Sequence, residues 1–274
     1  MLKCAITGAN GVLGRRIRRT LPYKFYPLKD NIENYNKVFK WINSRKFDLV
    51  IHLAAIVPTN KVNKNFEKAK SVNVNGTKNI TRAVLKTSNP PKWFFYASTS
   101  HVYSVRFSSK KLSENASIKP YSKYGKTKRD GEKIIKNCFN NKKTKFCIGR
   151  IFSFTDKLQK RPFVVPSLFL KIKKSKNKEL LLNNLNHYRD FISTKDIASA
   201  IKILFNNKKT GIFNIGSENK INLKAVALLI AKKYKKKIFF SENNRTTFLV
   251  SNSNKLKRLG WKPKKFKNNI NYFY

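Results

Sequence analysis

The run at 2–6 is apolar apart from Lys3, and Thr7-Gly8-Ala9-Asn10-Gly11-Val12-Leu13-Gly14 follows it directly. A strand, a glycine turn and the start of a helix are written in that order. The G-x-x-G-x-x-G spacing divides the work. Gly8 permits a tight turn, Gly11 lets backbone approach a pyrophosphate, and Gly14 allows close packing of helix on strand. The first helical turn then offers free N–H groups and the positive end of the helix dipole to phosphates. Gly8, Asn10, Gly11, Val12, Leu13 and Gly14 are therefore candidate cofactor-binding residues.

Downstream the chain alternates. After the strand at 2–6 and a helix at 11–21, a short strand is expected near 24–28 and a helix at 32–45. The stretch FDLVIHLAA at 47–55 is a nearly continuous apolar run, as for a strand buried on both faces. A long helix at 66–87, a strand at 92–98, a helix at 121–138 and a strand at 145–152 follow. This order predicts an α/β fold with a Rossmann-type, doubly wound parallel sheet. Its ligand crevice lies at the C-terminal ends of the strands. After residue 152 the rhythm changes. Helices at 162–175, 195–206, 222–235 and 252–259 and short strands at 211–215 and 237–240 suggest a smaller substrate-binding lobe. The expected division is 1–152 for the dinucleotide-binding domain, which carries the catalytic residues, and 153–274 for the lobe. Some lobe segments return to the first domain.

Composition sets limits. No apolar run approaches the ~18 residues of a membrane span, and no leader precedes the first strand, so a cytoplasmic protein with no membrane partner is expected. Cys4, Cys138 and Cys147 match no metal-site spacing, and no metal is expected. The 274 residues carry 61 Lys+Arg against 13 Asp+Glu, a net charge of +48. That charge is mostly lysine and is spread along the whole chain. Specific nucleic-acid recognition favours arginine forks, so no specific nucleic-acid partner is expected.

Tyr124 and Lys128 are four apart in a helical segment and share one face. A free tyrosine titrates near about 10, and a neighbouring ammonium is expected to pull it down. Tyr124 then exchanges a proton with a sugar oxygen as hydride moves. The run Ala97-Ser98-Thr99-Ser100-His101-Val102-Tyr103 ends a buried strand and brings a hydroxyl to the crevice. Asp30 is the one acidic candidate near the end of the second strand, where a carboxylate selects NAD. Arg15, Arg16, Lys24 and Lys29 equally suit the extra phosphate of NADP. The choice between NAD and NADP stays open.

Taken together, these motifs resemble the extended short-chain dehydrogenase/reductase family of nucleotide-sugar epimerases, dehydratases and 4-keto reductases. The likeness runs from residue 2 to about residue 263. It covers Thr7 to Gly14, His52-Leu53-Ala54-Ala55, Asn73-Val74-Asn75-Gly76-Thr77, Thr99, Tyr124 with Lys128, Arg150 with Phe152, Arg189 to Ile192, and Leu259 to Pro263. The resemblance implies Thr99, Tyr124 and Lys128 as catalytic residues, with Lys128 also holding the cofactor ribose. Leu53, Ala54, Ala55, Asn73 and Phe152 would line the cofactor, and Arg150 would lie beside the nicotinamide. Ser100, His101, Arg189 and Arg245 would meet the substrate, a nucleotide-diphosphate sugar. Family members often dimerise through the helices at 66–87 and 121–138.

Departures from the family pattern narrow the reaction. Dehydratases of the family carry an acidic pair directly after the catalytic threonine, where this chain has Ser100 and His101. Many 4-epimerases have an asparagine where this chain has Ser153. The expected activity is therefore reduction of a nucleotide-linked 4-keto-6-deoxy sugar, with a 4-epimerase that retains NAD as the alternative. A more remote reading is a non-catalytic relative holding RNA or another polyanion, against which the intact Thr99, Tyr124 and Lys128 set argues. Among the histidines, His52 reads as hydrogen-bonded structure. His101 and His187 read as candidates for the lining of the sugar site.

Overall fold

A computed structural model of the chain describes residues 1–264. The aromatic tail at 271–274 lies outside the described residues. Alternating strands and helices run β1 (Lys3–Thr7), α1 (Val12–Thr20), β2 (Lys24–Pro27), α2 (Tyr35–Asn43), β3 (Leu49–His52), α3 (Thr59–Lys64), α4 (Phe66–Lys70), α5 (Gly76–Lys86), β4 (Trp93–Thr99), α6 (Lys123–Phe139) and β5 (Lys145–Ile151). The second part holds β6 (Ser153–Thr155), α7 (Val164–Lys174), β7 (Glu179–Asn183), β8 (Tyr188–Arg189), β9 (Phe191–Ser193), α8 (Thr194–Asn206), β10 (Gly211–Ile215), β11 (Ile221–Asn222), α9 (Leu223–Lys233), β12 (Lys237–Ser241), β13 (Phe248–Leu249) and α10 (Asn254–Lys257).

Six parallel strands form the central sheet in the order β10-β5-β4-β3-β1-β2. The core strands are apolar on both faces because helices cover both. Ile6, Ile51, Phe95 and Cys147 point to one side, where α8 supplies Ile197 and Ile201. Ala5, Val50, Phe94 and Ile148 point to the other, where α2, α5 and α6 supply Val38, Ile80 and Ile135. The direction of winding reverses between β1 and β3, so the ligand crevice opens above that pair.

The expected helix at 66–87 is interrupted. A π-helical turn at Ser71–Asn75 separates α4 from α5. Such turns insert a residue into a helix and re-aim the side chains around it. Here the turn carries Asn73 inward. The expected helix at 252–259 shrinks to the single turn of α10, and β7, β8, β9, β11 and β13 add strands that the apolar pattern did not reveal. Several segments beyond residue 152 join the first unit. β10 pairs with β5 as the sixth sheet strand, and α8 and Trp261 pack on the sheet. What remains is a lobe around α7, α9 and the β7–β12 ribbon, with a core of Val165, Leu168, Ile172, Val226 and Ile230.

A buried ion pair ties α6 to this sheet. Glu132 on α6 accepts from Arg150 Nε and Nη2 of β5, both at 2.9 Å. Ser98 of β4 donates to the same carboxylate at 2.6 Å, and Arg129 does so at 2.8 Å. Arg150 also donates to the Tyr103 hydroxyl and the Glu114 carbonyl. The arginine and its hydrogen bonds hold the Glu132 carboxyl below its ordinary value against the opposing cost of burial.

Removing one partner of a buried pair strands the other charge. Arg150→Met is expected to cost about 3–5 kcal/mol in urea unfolding at neutral pH. Because the Glu132 pKa is depressed in the folded state, its contribution is complete above the ordinary glutamate value of 4.5 and is lost as pH falls through the lower folded value. The wild-type acid limb should therefore be steeper than that of Arg150→Met. Parallel limbs in the two proteins would contradict this assignment.

Candidate active site

The crevice begins where β1 crosses β3. Gly8 has φ +69°, and a Cβ there would stand 2.7 Å from the Ala54 nitrogen. Thr7 closes the same crossing. Its Oγ1 accepts from the N–H groups of Leu53 and Ala54 at 3.2 and 3.1 Å and lies 2.6 Å from His52 Nδ1. His52 Nε2 lies 3.0 Å from Thr77 Oγ1, which donates to the Asn73 carbonyl. The Thr77 hydroxyl proton is thus spent, and the network assigns the imidazole proton to Nε2. Burial and the nearby Lys128 hold the His52 pKa down at about 3. His52 is structural, as its strand-end position suggested.

Gly14 backs onto the same turn, and a Cβ at that position would collide with the Gly8 carbonyl oxygen. Gly11 is the N-cap of helix α1 and offers no side-chain cap, and the first turn of the helix carries no acidic residue. This glycine cradle and uncapped helix start fit an anionic pyrophosphate. Asn10, Val12 and Leu13 line it, with Asn10 exposed and its carbonyl accepting from Arg15 Nε.

Several expected cofactor residues are engaged elsewhere. Asn73 bonds Ile56 through both amide atoms, at 2.7 and 3.1 Å, and donates to Thr127 Oγ1 at 3.0 Å. It latches the segment following Ala55 to α6, so its side chain supports the crevice floor. Phe152 is buried among Val102, Tyr103, Leu112 and Leu249. Arg150, which the resemblance set beside the nicotinamide, is spent on Glu132 and Tyr103. Asp30 lies beyond the end of β2, exposed and paired with Lys37 at 3.0 Å. Arg16 forks onto Asp156.

Thr99, Tyr124 and Lys128 converge. Thr99 ends β4, and its hydroxyl is close enough to Tyr124 to favour the phenolate. Tyr124 and Lys128 sit one turn apart on α6, 9% and 2% exposed. Ser122 caps the helix by accepting from the Gly125 N–H at 3.0 Å. A Cβ on Gly125 would strike the His101 carbonyl, so glycine brings α6 against the end of β4. The Lys128 ammonium lies 4.1 Å from the centroid of the Tyr96 ring.

The expected lowering of the Tyr124 pKa by Lys128 is not what the structure shows. Burial pushes the phenol well above its ordinary value, opposed by the nearby Thr99 hydroxyl. Burial also lowers Lys128 to about 7, opposed by Glu132 one turn further on. Desolvation dominates both shifts.

Beside this trio lies a cavity of about 470 Å³, lined in part by Arg106, Tyr121, His187, Arg189, Arg245 and Phe248. Tyr121 connects the two, with its ring stacked on His101 at 5.8 Å while His101 meets Tyr124 edge-on at 5.9 Å. Arg189 donates to the carbonyls of Tyr188 and Thr247. Neighbouring Asp190 is buried and fixes that strand by accepting from Ser217 and Ser251. Arg245 stacks over Phe107 at 4.2 Å. Arg189, Arg245 and His187 line this cavity together, whereas Ser100 is buried in the turn after β4.

Arg106 and Tyr121 escaped sequence reading. Arg106 Nε is buried without a hydrogen-bond partner. One more cation in so basic a chain carries no signal. Tyr121 lies three residues before Tyr124, and that spacing in the same motif was the one available hint.

The family model described as GDP-mannose 4,6 dehydratase matches residues 13–271. The chain belongs to this family and is an enzyme of the extended short-chain dehydrogenase/reductase type. A GDP-6-deoxy-D-talose 4-dehydrogenase of Aggregatibacter actinomycetemcomitans is 29% identical over 210 residues, 73% of this chain and 69% of the relative. In two further curated relatives the matching stretch spans about half of their length, 47% and 49%. Among solved structures, RMD from Pseudomonas aeruginosa, complexed with NADPH, superposes with a TM-score of 0.88 at 18% identity, covering 100% of this chain and 97% of that one. The UDP-glucose 4-epimerase of Thermus thermophilus, in complex with NAD, gives 0.84 at 18% identity, covering 99% and 97%. These two likenesses establish the fold.

Burial and the Arg189 charge lower the His101 pKa to about 4. An NMR titration should find His101 neutral throughout the neutral range, and Arg189→Gln should move its midpoint upward. A wild-type midpoint at the ordinary 6.5 would contradict the packing of His101 between Tyr121 and Tyr124.

Proposed function

We propose that this protein is an NAD(P)-dependent reductase acting at C4 of a nucleotide-diphosphate-linked 4-keto-6-deoxy sugar. The observation that carries the reading is the placement of Thr99 at the end of β4 beside Tyr124, with Tyr124 and Lys128 buried on one face of α6. The C4 redox activity in the name of the A. actinomycetemcomitans relative supports it. So does the placement of Ser100 and His101, and no carboxylate, directly after Thr99.

When bound, the nicotinamide supplies the hydride. The chain's own residues do the rest. Thr99 and Tyr124 hydrogen-bond the carbonyl oxygen and polarise it. The raised Tyr124 pKa keeps the phenol protonated, which suits a proton donor to the alkoxide that forms. Lys128 holds the cofactor ribose and replaces the proton that Tyr124 gives up. Its value of about 7 suits that exchange near neutral pH. Arg106, Arg189 and Arg245 face the cavity and hold the substrate diphosphate, with charge-assisted bonds fixing the sugar beside Tyr124. A nucleotide sugar, and no nucleic acid, is the partner this cavity suits.

The Tyr124→Phe variant tests the assignment. It should lower kcat by about 10²-fold or more while leaving binding of reduced nicotinamide, read by fluorescence, nearly unchanged. Unchanged turnover in the variant would refute the proposed proton transfer.

A further inference from the structure

The smaller lobe carries a feature that the catalytic reading does not use. Ten of the fourteen residues at 171–178 and 232–237 are lysine, against 61 Lys+Arg in 274 residues overall. The fold brings these two stretches to one corner. Lys171, Lys173 and Lys174 end α7, and Lys232 and Lys233 end α9, which packs beside it. The loops beyond are joined directly. Lys236 Nζ donates to the carbonyls of Ser175 and Asn177 at 3.1 and 2.9 Å, and the Lys237 N–H donates to the Lys178 carbonyl. Within 171–183 and 232–241 the one carboxylate is Glu179, paired with Lys237 at 3.0 Å.

The ribbon that leaves this corner is amphipathic in an unusual sense. Leu182 of β7 and Ile238 and Phe240 of β12 pack on the lobe core, and Leu180 is buried. The opposite face presents Leu181 and Phe239, which are register partners and are 56% and 44% exposed. The Lys237 ammonium lies 4.8 Å from the Phe239 ring centroid. An exposed apolar pair thus sits at the edge of a dense field of positive charge.

The geometry points to a docking surface for an anionic lipid bilayer. Clustered lysines are flexible point charges suited to a diffuse negative surface, and each adds to attraction near a charged leaflet. Leu181 and Phe239 are placed to enter the headgroup boundary beside them. Nucleic acid is the poorer fit, because the exposed pair offers the single ring of Phe239 instead of a row of stacking platforms, and the two stretches contain no arginine. Among the described residues no helix is long and apolar enough to cross a membrane, so this is contact at the surface. The expectation of no membrane partner, drawn from the lack of a spanning segment, did not bear on such contact. The corner is separate from the residues lining the cavity around Arg106 and Arg189, so docking would leave the substrate route open.

Co-sedimentation of the full-length protein with lipid vesicles at about 0.15 M salt tests this. The protein should pellet with mixed phosphatidylglycerol–phosphatidylcholine vesicles and stay in solution with phosphatidylcholine alone. Replacing Lys173, Lys174, Lys232 and Lys233 by Gln should weaken binding on the order of a hundredfold. A charge-matched control replacing exposed Lys86, Lys126, Lys133 and Lys136 on α5 and α6 should bind nearly as wild type. Leu181→Ser with Phe239→Ser should make the remaining binding far more salt-sensitive. Absence of binding to anionic vesicles would overturn the proposal, as would equal losses in the two lysine variants, which would mean attraction by net charge alone. Tighter binding of a single-stranded RNA oligomer through the same four lysines would overturn it too.

Discussion

The bidentate contact between Glu132 and Arg150 decides where the candidate chemistry can happen. Tyr124, Lys128 and Glu132 recur at four-residue intervals along α6, so all three face the sheet. Glu132 is anchored to β5 through Arg150 and to β4 through Ser98, the residue before Thr99. Fixing that carboxylate fixes the height of α6 along β4, and with it the distance from Tyr124 to Thr99. Gly125 against the His101 carbonyl and Asn73 against Thr127 set the approach of the helix from its other sides. Such a buried pair is weak evidence of extra stability. Here its use is positional, since slippage of one helical residue would separate the tyrosine from the threonine.

Burial also governs protonation at the site. The Tyr124 phenol is pushed up and the Lys128 ammonium brought down to about 7 because each charged form is desolvated. An acid that keeps its proton until an alkoxide forms beside it is suited to carbonyl reduction. The cationic cavity complements this arrangement. Arg106, Arg189 and Arg245 line it, and burial with the Arg189 charge lowers the nearby His101 pKa to about 4.

Much of this was legible because the relevant constraints are local. The glycine spacing at 8, 11 and 14 reports backbone that must pass close to other backbone, and the crossing of Gly8 over Leu53 and Ala54 is that passage. The continuous apolar strands reported a sheet covered on both faces. What stayed hidden depends on tertiary placement. No periodicity reveals that a π turn at 71–75 redirects Asn73, or that Arg150 is consumed by Glu132. That segments would return was expected, but not that β10 is the one that pairs with β5, across about sixty residues of intervening chain. Arg106 is one arginine among many cations until the fold buries its Nε at the cavity wall.

The most direct test of the account is the fate of the hydride. The enzyme would be given nicotinamide cofactor carrying deuterium at the transferred position, together with a nucleotide-linked 4-keto-6-deoxy sugar, and the product examined by NMR. The account predicts one deuterium at C4 of the product and one equivalent of oxidised cofactor released. A product without deuterium, from protein that retains bound NAD and inverts C4 with no net oxidation, would contradict it and define an epimerase.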